Sequence, residues 1–428
     1  MREDIKERIE LIRAGKVPEG YKKTRLGIIP EDFKIVLLGE LVDFQNGINA
    51  EKEKFSSGIK IISVSDILKE EPIFYDAIKS EIDISEEKLE NYAVNYGDIL
   101  FQRSSENIED AGTANVYLDK RKKATFGGFV IRGKKKTDYN PIVINEILKM
   151  QYVRKQVMKM AAGAQHINIS QDSLKRVWIA VPNATHQKYV ENILKAYLKQ
   201  NDLLQKKMEL VRFKKKYLMQ SLLSGKRRIH GFNKTWEKVR LSAIFKEIDD
   251  RTIENNEYPI LSVTKNGICL QSEHFNKQIA SYNNIGYKIV KKGNLVFSTM
   301  NLWMGSLDVL EEFDIGIVSP AYKVYDFDEN MLLPEFVKYY MKSEHMMWLY
   351  NINSEQGASI VRKNLDLTGL LNNFVSIPEI AEQKSITEIF RQIDYEINLL
   401  EKKIILKKKE KKALMQLLLT GIVRVSEE

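Results

Sequence analysis

The sequence holds one cysteine, Cys269, in 428 residues, so no disulfide can close within the chain. A chain that relies on none suits a reducing compartment, and the expected location is the cytoplasm. Its five histidines, His166, His186, His230, His274 and His345, are scattered, and with a single thiol they give no structural zinc spacing. The nine prolines include no adjacent pair, which excludes the Asp/Asn-Pro-Pro-aromatic motif of an amino-methyltransferase. Phe126-Gly127-Gly128-Phe129 lacks the glycine spacing of a methyl-donor loop and reads as a strand turn. No Gly-x4-Gly-Lys-Ser/Thr occurs, so there is no phosphate-cradling loop for ATP. No apolar run is long enough to cross a membrane, and the charged start, Met1 to Arg8, has no apolar signal region. Pro30-Glu31-Asp32-Phe33-Lys34 sets carboxylates beside a lysine as a nuclease fragment would, but reads better as a turn leading into a strand. No catalytic residue and no metal ligand is expected.

What is present is length, mixed charge and a repeat. The length suggests two or three domains, and 43% hydrophobic residues let each half bury a core. Charged residues reach 29% with signs mixed, unlike a disordered polyelectrolyte. Thr185–Arg228 carries twelve Lys/Arg against three acids, an excess as large as the whole chain's +9. That local excess suits either an anionic partner, nucleic acid first, or a solvated lysine-rich helix face.

Residues 374–425 restate residues 178–229 at a constant offset of 196. Pro182 matches Pro378, Gln187-Lys188 matches Gln383-Lys384, and Leu218-Met219-Gln220 recurs as Leu414-Met415-Gln416. Leu222-Leu223-Ser224-Gly225 recurs as Leu418-Leu419-Thr420-Gly421. Upstream, Gly97-Asp98-Ile99-Leu100-Phe101 answers Gly293-Asn294-Leu295-Val296-Phe297, and Phe33 answers Trp236. The chain is two copies of one unit, a mixed region followed by a long helix.

Each helix shows a 4–3 apolar repeat, the pattern of a coiled-coil seam. The first seam reads Val190, Leu194, Tyr197, Asn201, Leu204, Met208, Val211, Lys215, Leu218 and Leu222. The second reads Ile386, Phe390, Ile393, Ile397, Leu400, Ile404, Lys407, Lys411, Leu414 and Leu418. Each run ends at a glycine, Gly225 or Gly421, where a left-handed cap is expected. Such a rod is roughly 60 Å long and exposes too much apolar seam to stand alone. The expected partner is its own copy, packed antiparallel with pseudo-two-fold symmetry. The polar seam residues Asn201, Lys215, Lys407 and Lys411 either fix register or mark frayed or partner-contacting stretches.

The mixed regions, 35–181 and 236–377, carry short strand-like runs with helical patches at Val143–Met160 and Pro334–Tyr350. The expected class is α+β: two tandem domains separated by two long helices. Polar and basic clusters fall at the expected strand ends. In the first region they hold Arg103, Ser104, Ser105, Lys122, Lys123, Gln165, His166 and Asn168. In the second they hold Lys265, Asn266, Ser298, Asn301, Ser359, Arg362 and Lys363. Lysine and arginine neutralise phosphates, while Gln, Asn, Arg and Ser carry the donors and acceptors that read base edges. Each cluster alone also fits a solvated loop; it is their paired placement in the repeat that favours DNA contact.

A hydrophobic pair, Pro, Gln-Lys, then a long helix ending Leu-Met-Gln-x-Leu-Leu-x-Gly, present twice, resembles the DNA-specificity subunits of type I restriction–modification systems. Ile29 to Val36 also looks like the opening of that family's first recognition domain, with Phe33 where Trp is usual and His186 where the second copy keeps Glu382. The resemblance implies an N-terminal arm at 1–30, target-recognition domains at 31–183 and 229–379, and helical spacers at 184–228 and 380–428. It implies a non-catalytic subunit that reads a split, asymmetric site in double-stranded DNA, the helices acting as a ruler. Two modification subunits would bring S-adenosylmethionine and methylate adenine; restriction subunits would bring ATP and Mg. A single-polypeptide or type IIB-like system, or a coiled-coil scaffold binding only proteins, are the alternatives.

Overall fold

The computed structural model describes residues 3–48, 58–163, 165–274, 283–359 and 362–424. The chain divides into two compact units, residues 1–204 with 403–428, and residues 205–402. Each unit contains one α+β head and a piece of both long helices.

In the first unit a four-stranded antiparallel sheet has the order Val42–Asn46, Val130–Lys135, Ile99–Gln102, Ala114–Val116. In the second the order is Phe245–Ile248, Tyr322–Phe327, Leu295–Ser298, Leu307–Val309. The two sheets have the same topology, so the duplication extends into the strand order. A two-stranded sheet accompanies each: Trp178–Val181 pairs with Lys34–Leu37, and Phe374–Ile377 pairs with Glu237–Arg240. From those strands the chain passes almost directly into the long helices, Ala184–Leu222 and Ile380–Leu419.

The two expected helical patches are each broken in two. Pro141–Leu148 and Gln151–Met160 are separated by Lys149 and an extended Met150. Pro334–Tyr340 and Glu344–Ile352 are separated at Ser343, whose hydroxyl accepts from the amide of Met346 and starts the second helix.

The repeated glutamine has a structural task. Gln187 Nε2 donates to the Pro182 carbonyl at 2.8 Å while its Oε1 accepts from the amide of Asn140 at 3.3 Å. Gln383 does the same with Pro378 at 2.8 Å and Leu333 at 3.0 Å. Asn140 and Leu333 are the N-caps of Pro141–Leu148 and Pro334–Tyr340. One amide thus satisfies an orphan helix-end donor and ties the head to the start of the long helix.

Within each unit the helix pieces run antiparallel. In the first, His186 meets Leu418 and Tyr197 meets Lys411. In the second, Arg212 pairs with Glu401 at 2.7 Å and Lys215 with Asp394 at 2.5 Å. Every position of the first 4–3 seam is buried or half-buried. In the second seam Leu414 departs from expectation: it is 37% exposed, and Met415, 3% exposed, is buried instead. The final steps run Lys411, Met415, Leu418, so a four-residue step replaces the three-residue one.

Three of the four polar seam residues reach a head. Asn201 Nδ2 donates to Glu71 Oε1 at 3.2 Å, and Lys411 reaches Glu146 at 2.8 Å. Lys215, the repeat equivalent of Lys411, reaches Asp394 and lies over the Tyr339 ring at 5.4 Å. Lys407 pairs with Glu410 of its own helix at 2.8 Å.

The two departures at Phe33 and His186 compensate each other. In the second copy the carboxylate of buried Glu382 accepts from Trp236 Nε1 at 3.0 Å and from Arg228 at 2.6 and 2.7 Å. In the first copy the Phe33 ring has no N–H to satisfy. His186 stands edge-on to it, centroids 5.3 Å apart, and its Nε2 lies 2.9 Å from the Leu418 carbonyl oxygen. Arg424, the equivalent of Arg228, turns to Asp32 at 3.2 Å. The turn is tight: Gly421 has φ +74°, and a Cβ there would fall 2.1 Å from Pro30 Cγ.

Burial lowers the His186 pKa, against opposing effects of its bond to Leu418 and of Asp32. The folded state therefore favours neutral imidazole. Stability from this site is fully present above the ordinary histidine pKa and is lost as pH falls toward the lowered one. We expect acidification below about pH 6.5 to destabilise the first unit by up to about 1.4 kcal/mol per pH unit, the limit for one proton. The His186→Gln variant should show a flatter profile by denaturant titration; an unchanged profile assigns the effect to other groups.

Candidate nucleic-acid interface

In the first head three segments meet at the Gln102 end of the central strand. The sheet register sets Gln102 opposite Val130, and Ser104–Ser105 pairs with Ile167–Asn168. Ser104 Oγ donates to Asn168 Oδ1, and Asn168 Nδ2 donates to the His166 carbonyl at 3.0 Å. Arg103 is anchored on the Gly127–Phe129 turn: its amide donates to the Phe129 carbonyl at 2.8 Å and its Nη1 to the Gly128 carbonyl at 3.4 Å. Five expected residues, Arg103, Ser104, Ser105, His166 and Asn168, thus come together. Gln165, next to His166, is exposed. Of these, Ser104, Ser105 and His166 line a cleft whose walls add Val64, Gln102, Glu106, Asn107, Asp110 and Phe129.

Lys122 and Lys123 are not brought to this cleft. They lie on the loop after Ala114–Val116, at the other end of strands that pair antiparallel. Lys122 there pairs with Asp76 at 2.7 Å and lies over the Tyr75 ring.

In the second head Ser298, Asn301 and Lys363 gather. Asn301 donates its amide to the Ser298 carbonyl at 3.2 Å. Lys363 Nζ lies 4.7 Å over the Trp303 ring and bonds Asn351 Oδ1 at 2.7 Å. Ser359 and Arg362 face each other across the hairpin next to Lys363. Lys265 and Asn266 form a different hairpin tip. Asn266 lines a separate cavity of about 490 Å³ with Lys215, Asp308, Lys338 and Asp394, where those charged groups are already paired.

No cluster of three metal-ligating side chains exists among the described residues. Nor is any described helix long and apolar enough to cross a membrane. The chemistry on offer at the loops is recognition: fixed amides, hydroxyls and cations that can meet phosphates and base edges.

Sequence reasoning missed Gln102, Asn107, Asp110 and Phe129. A signal existed for Gln102 and Phe129, which flank strands of the repeated sheet. For Asn107 and Asp110 none existed, since their mutual bonds, 2.8 and 2.9 Å, arise only in the folded loop.

Several known proteins are similar to this chain in sequence or fold. Residues 30–212 match the family described as the type I restriction modification DNA specificity domain. A putative type I restriction enzyme MjaX specificity subunit of Methanocaldococcus jannaschii is 25% identical over 95% of this chain and 97% of its own length. The type I restriction enzyme MjaVIII specificity subunit of the same organism is 25% identical over 50% of this chain and 51% of its own. A chain solved in a study of assembly and conformational transition of the type I restriction–modification system shares the fold, with TM-score 0.55 over 92% of this chain and 99% of that one, at 13% identity. Residues 30–212 thus match the DNA-specificity domain of type I restriction–modification systems, and over nearly its whole length the chain is similar to a specificity subunit of such a system.

Proposed function

We propose that this subunit reads an asymmetric, bipartite site in double-stranded DNA, one half-site per head, and carries two modification subunits on its long helices. It does no chemistry of its own. S-adenosylmethionine would sit on the modification subunits, which methylate adenine, and ATP and Mg on restriction subunits that join them. One observation carries the reading: the two heads share a strand order but present different side chains from equivalent loops. A duplicated reader whose loops have diverged suits two unlike half-sites. The non-contacted gap between the half-sites would follow from the helices, 39 and 40 residues long.

Exchanging residues 35–181 for the corresponding region of another such subunit tests it. Methylation mapping in cells with the matching modification subunit should show one half of the recognised sequence replaced and the other kept. Replacement of both halves would refute the assignment of one head to each half-site.

A further inference from the structure

The cleft of about 360 Å³ at the Gln102 end of the first sheet holds two features that the fold does not use. Gln102 is 5% exposed; its Nε2 donates to the Ser104 carbonyl at 3.0 Å, while its buried Oε1 has no hydrogen-bond partner among the described residues. A buried acceptor left unpaired is rare in a folded protein and points to a ligand or water at the site. Beside it Phe129 is 69% exposed, at the tip of a turn closed by Val130 N donating to Gly127 O at 2.9 Å and held by Arg103. The ring contributes little burial to the core, yet its backbone is fixed on both sides.

The second head shows what this pair is for. Gln102 lies opposite Val130 in the sheet, and Ser298 lies opposite Tyr322 in the matching sheet. Ser298 is therefore the equivalent of Gln102, and Ala321, just before Tyr322, is the equivalent of Phe129. The backbone is kept, while a long amide and an aromatic ring in one head become a hydroxyl and a methyl group in the other. Gln187 and Gln383, which tie each head to its helix, keep both place and chemistry across the duplication. These two conserve place and change chemistry.

From this we infer that Gln102 and Phe129 form the base-reading determinant of the first head, and Ser298 and Ala321 that of the second. The ligand is the base edges of a DNA half-site. The inference rests on the reading of one half-site per head. The free amide oxygen suits an exocyclic amino group, and the ring suits an apolar base edge such as the thymine methyl. Asn107, locked to Asp110, and His166 also line the cleft, beside the hydroxyls of Ser104 and Ser105 and the carboxylate of Glu106.

The test selects duplexes from a random library with the full-length chain and sequences the bound fraction. The Gln102→Ser/Phe129→Ala variant should lose about 10-fold in discrimination at one or two neighbouring base pairs of the first half-site, and nothing in the second. The reciprocal Ser298→Gln/Ala321→Phe variant should alter the second half-site alone. Phe129→Ala by itself removes no phosphate contact, so the salt dependence of binding should stay as in the parent chain. A parent chain without any split motif would overturn the half-site reading and this inference with it. A parent chain with such a motif, and variants that keep every preference or weaken all sequences equally, would overturn the inference alone.

Discussion

Replacing Asp98 by alanine should cost the first unit about 3–5 kcal/mol, because it strands a buried guanidinium. Asp98 and Arg132 are 2% and 3% exposed and meet at 2.8 Å. The carboxylate also accepts from the amides of Asn95 and Lys135, at 2.9 and 2.8 Å. Removing it unpairs a buried cation and two backbone donors together. The repeat contains the remedy. By sheet register Arg132 corresponds to Val324, and Asp98 corresponds to Asn294, whose Oδ1 accepts from Lys291 N at 2.9 Å just as Asp98 accepts from Asn95. The second head thus closes the same turn with a neutral side chain and fills the space of the arginine with an apolar one. Asp98→Asn/Arg132→Val should accordingly lie within about 1–2 kcal/mol of the parent, since apolar replacement of a buried pair is often near neutral. For a unit of this size the single variant's loss corresponds to roughly 10 °C in melting temperature. Thermal unfolding checks the magnitude, and hydrogen exchange should place the loss in the strands Ile99–Gln102 and Val130–Lys135. A double variant as damaged as Asp98→Ala would show that the pair's geometry, rather than its uncompensated charge, holds the sheet.

Such comparisons succeed because the duplication is legible in the sequence, and so is much of the fold. The helix seams follow from period, and the strand Trp178–Val181 closes the first strand-rich region because an apolar run next to Pro182 has few alternatives. Other features needed contacts distant in sequence. Met150 and Ser343 break helices where the apolar pattern continues unbroken. Lys215 and Lys411 look like faults in a seam until Asp394 and Glu146 stand opposite them. The candidate site divides the same way. Composition marked the loops around Ser104 and His166. The Gly-Gly turn before Phe129 is indeed a turn, yet its function lies in the residue it projects, and no local pattern separates a projecting ring from a packed one. The substitutions at Phe33 and His186 were visible as oddities, but only their edge-on contact shows that one requires the other.

The helices carry a second apolar column besides the seam. Leu203, Leu210 and Tyr217 are spaced by seven, one residue before the seam positions Leu204, Val211 and Leu218, and are 57%, 68% and 53% exposed. A one-residue step turns about 100° around a helix, so the column lies on the flank of the helix, to one side of the seam. The offset of 196 carries Leu203 and Leu210 onto Leu399 and Leu406, which are 47% and 58% exposed. Solvent-facing leucines at heptad spacing, kept in both copies, are what a helical partner would bury, and two equivalent columns suit two copies of one partner. We expect Leu203→Glu/Leu210→Glu to weaken docking of one modification subunit by about 3 kcal/mol or more, on the order of 100-fold, and to leave the other bound. Under the proposed function, with two modification subunits per chain, native mass spectrometry of the reconstituted complex should show the stoichiometry fall to one, with the melting temperature of the isolated chain unchanged because the seam is intact. Leu399→Glu/Leu406→Glu should remove the opposite copy, and all four substitutions should remove both. Two subunits retained in the first variant would place the docking surface elsewhere, and loss of both would mean that the columns act as one composite surface.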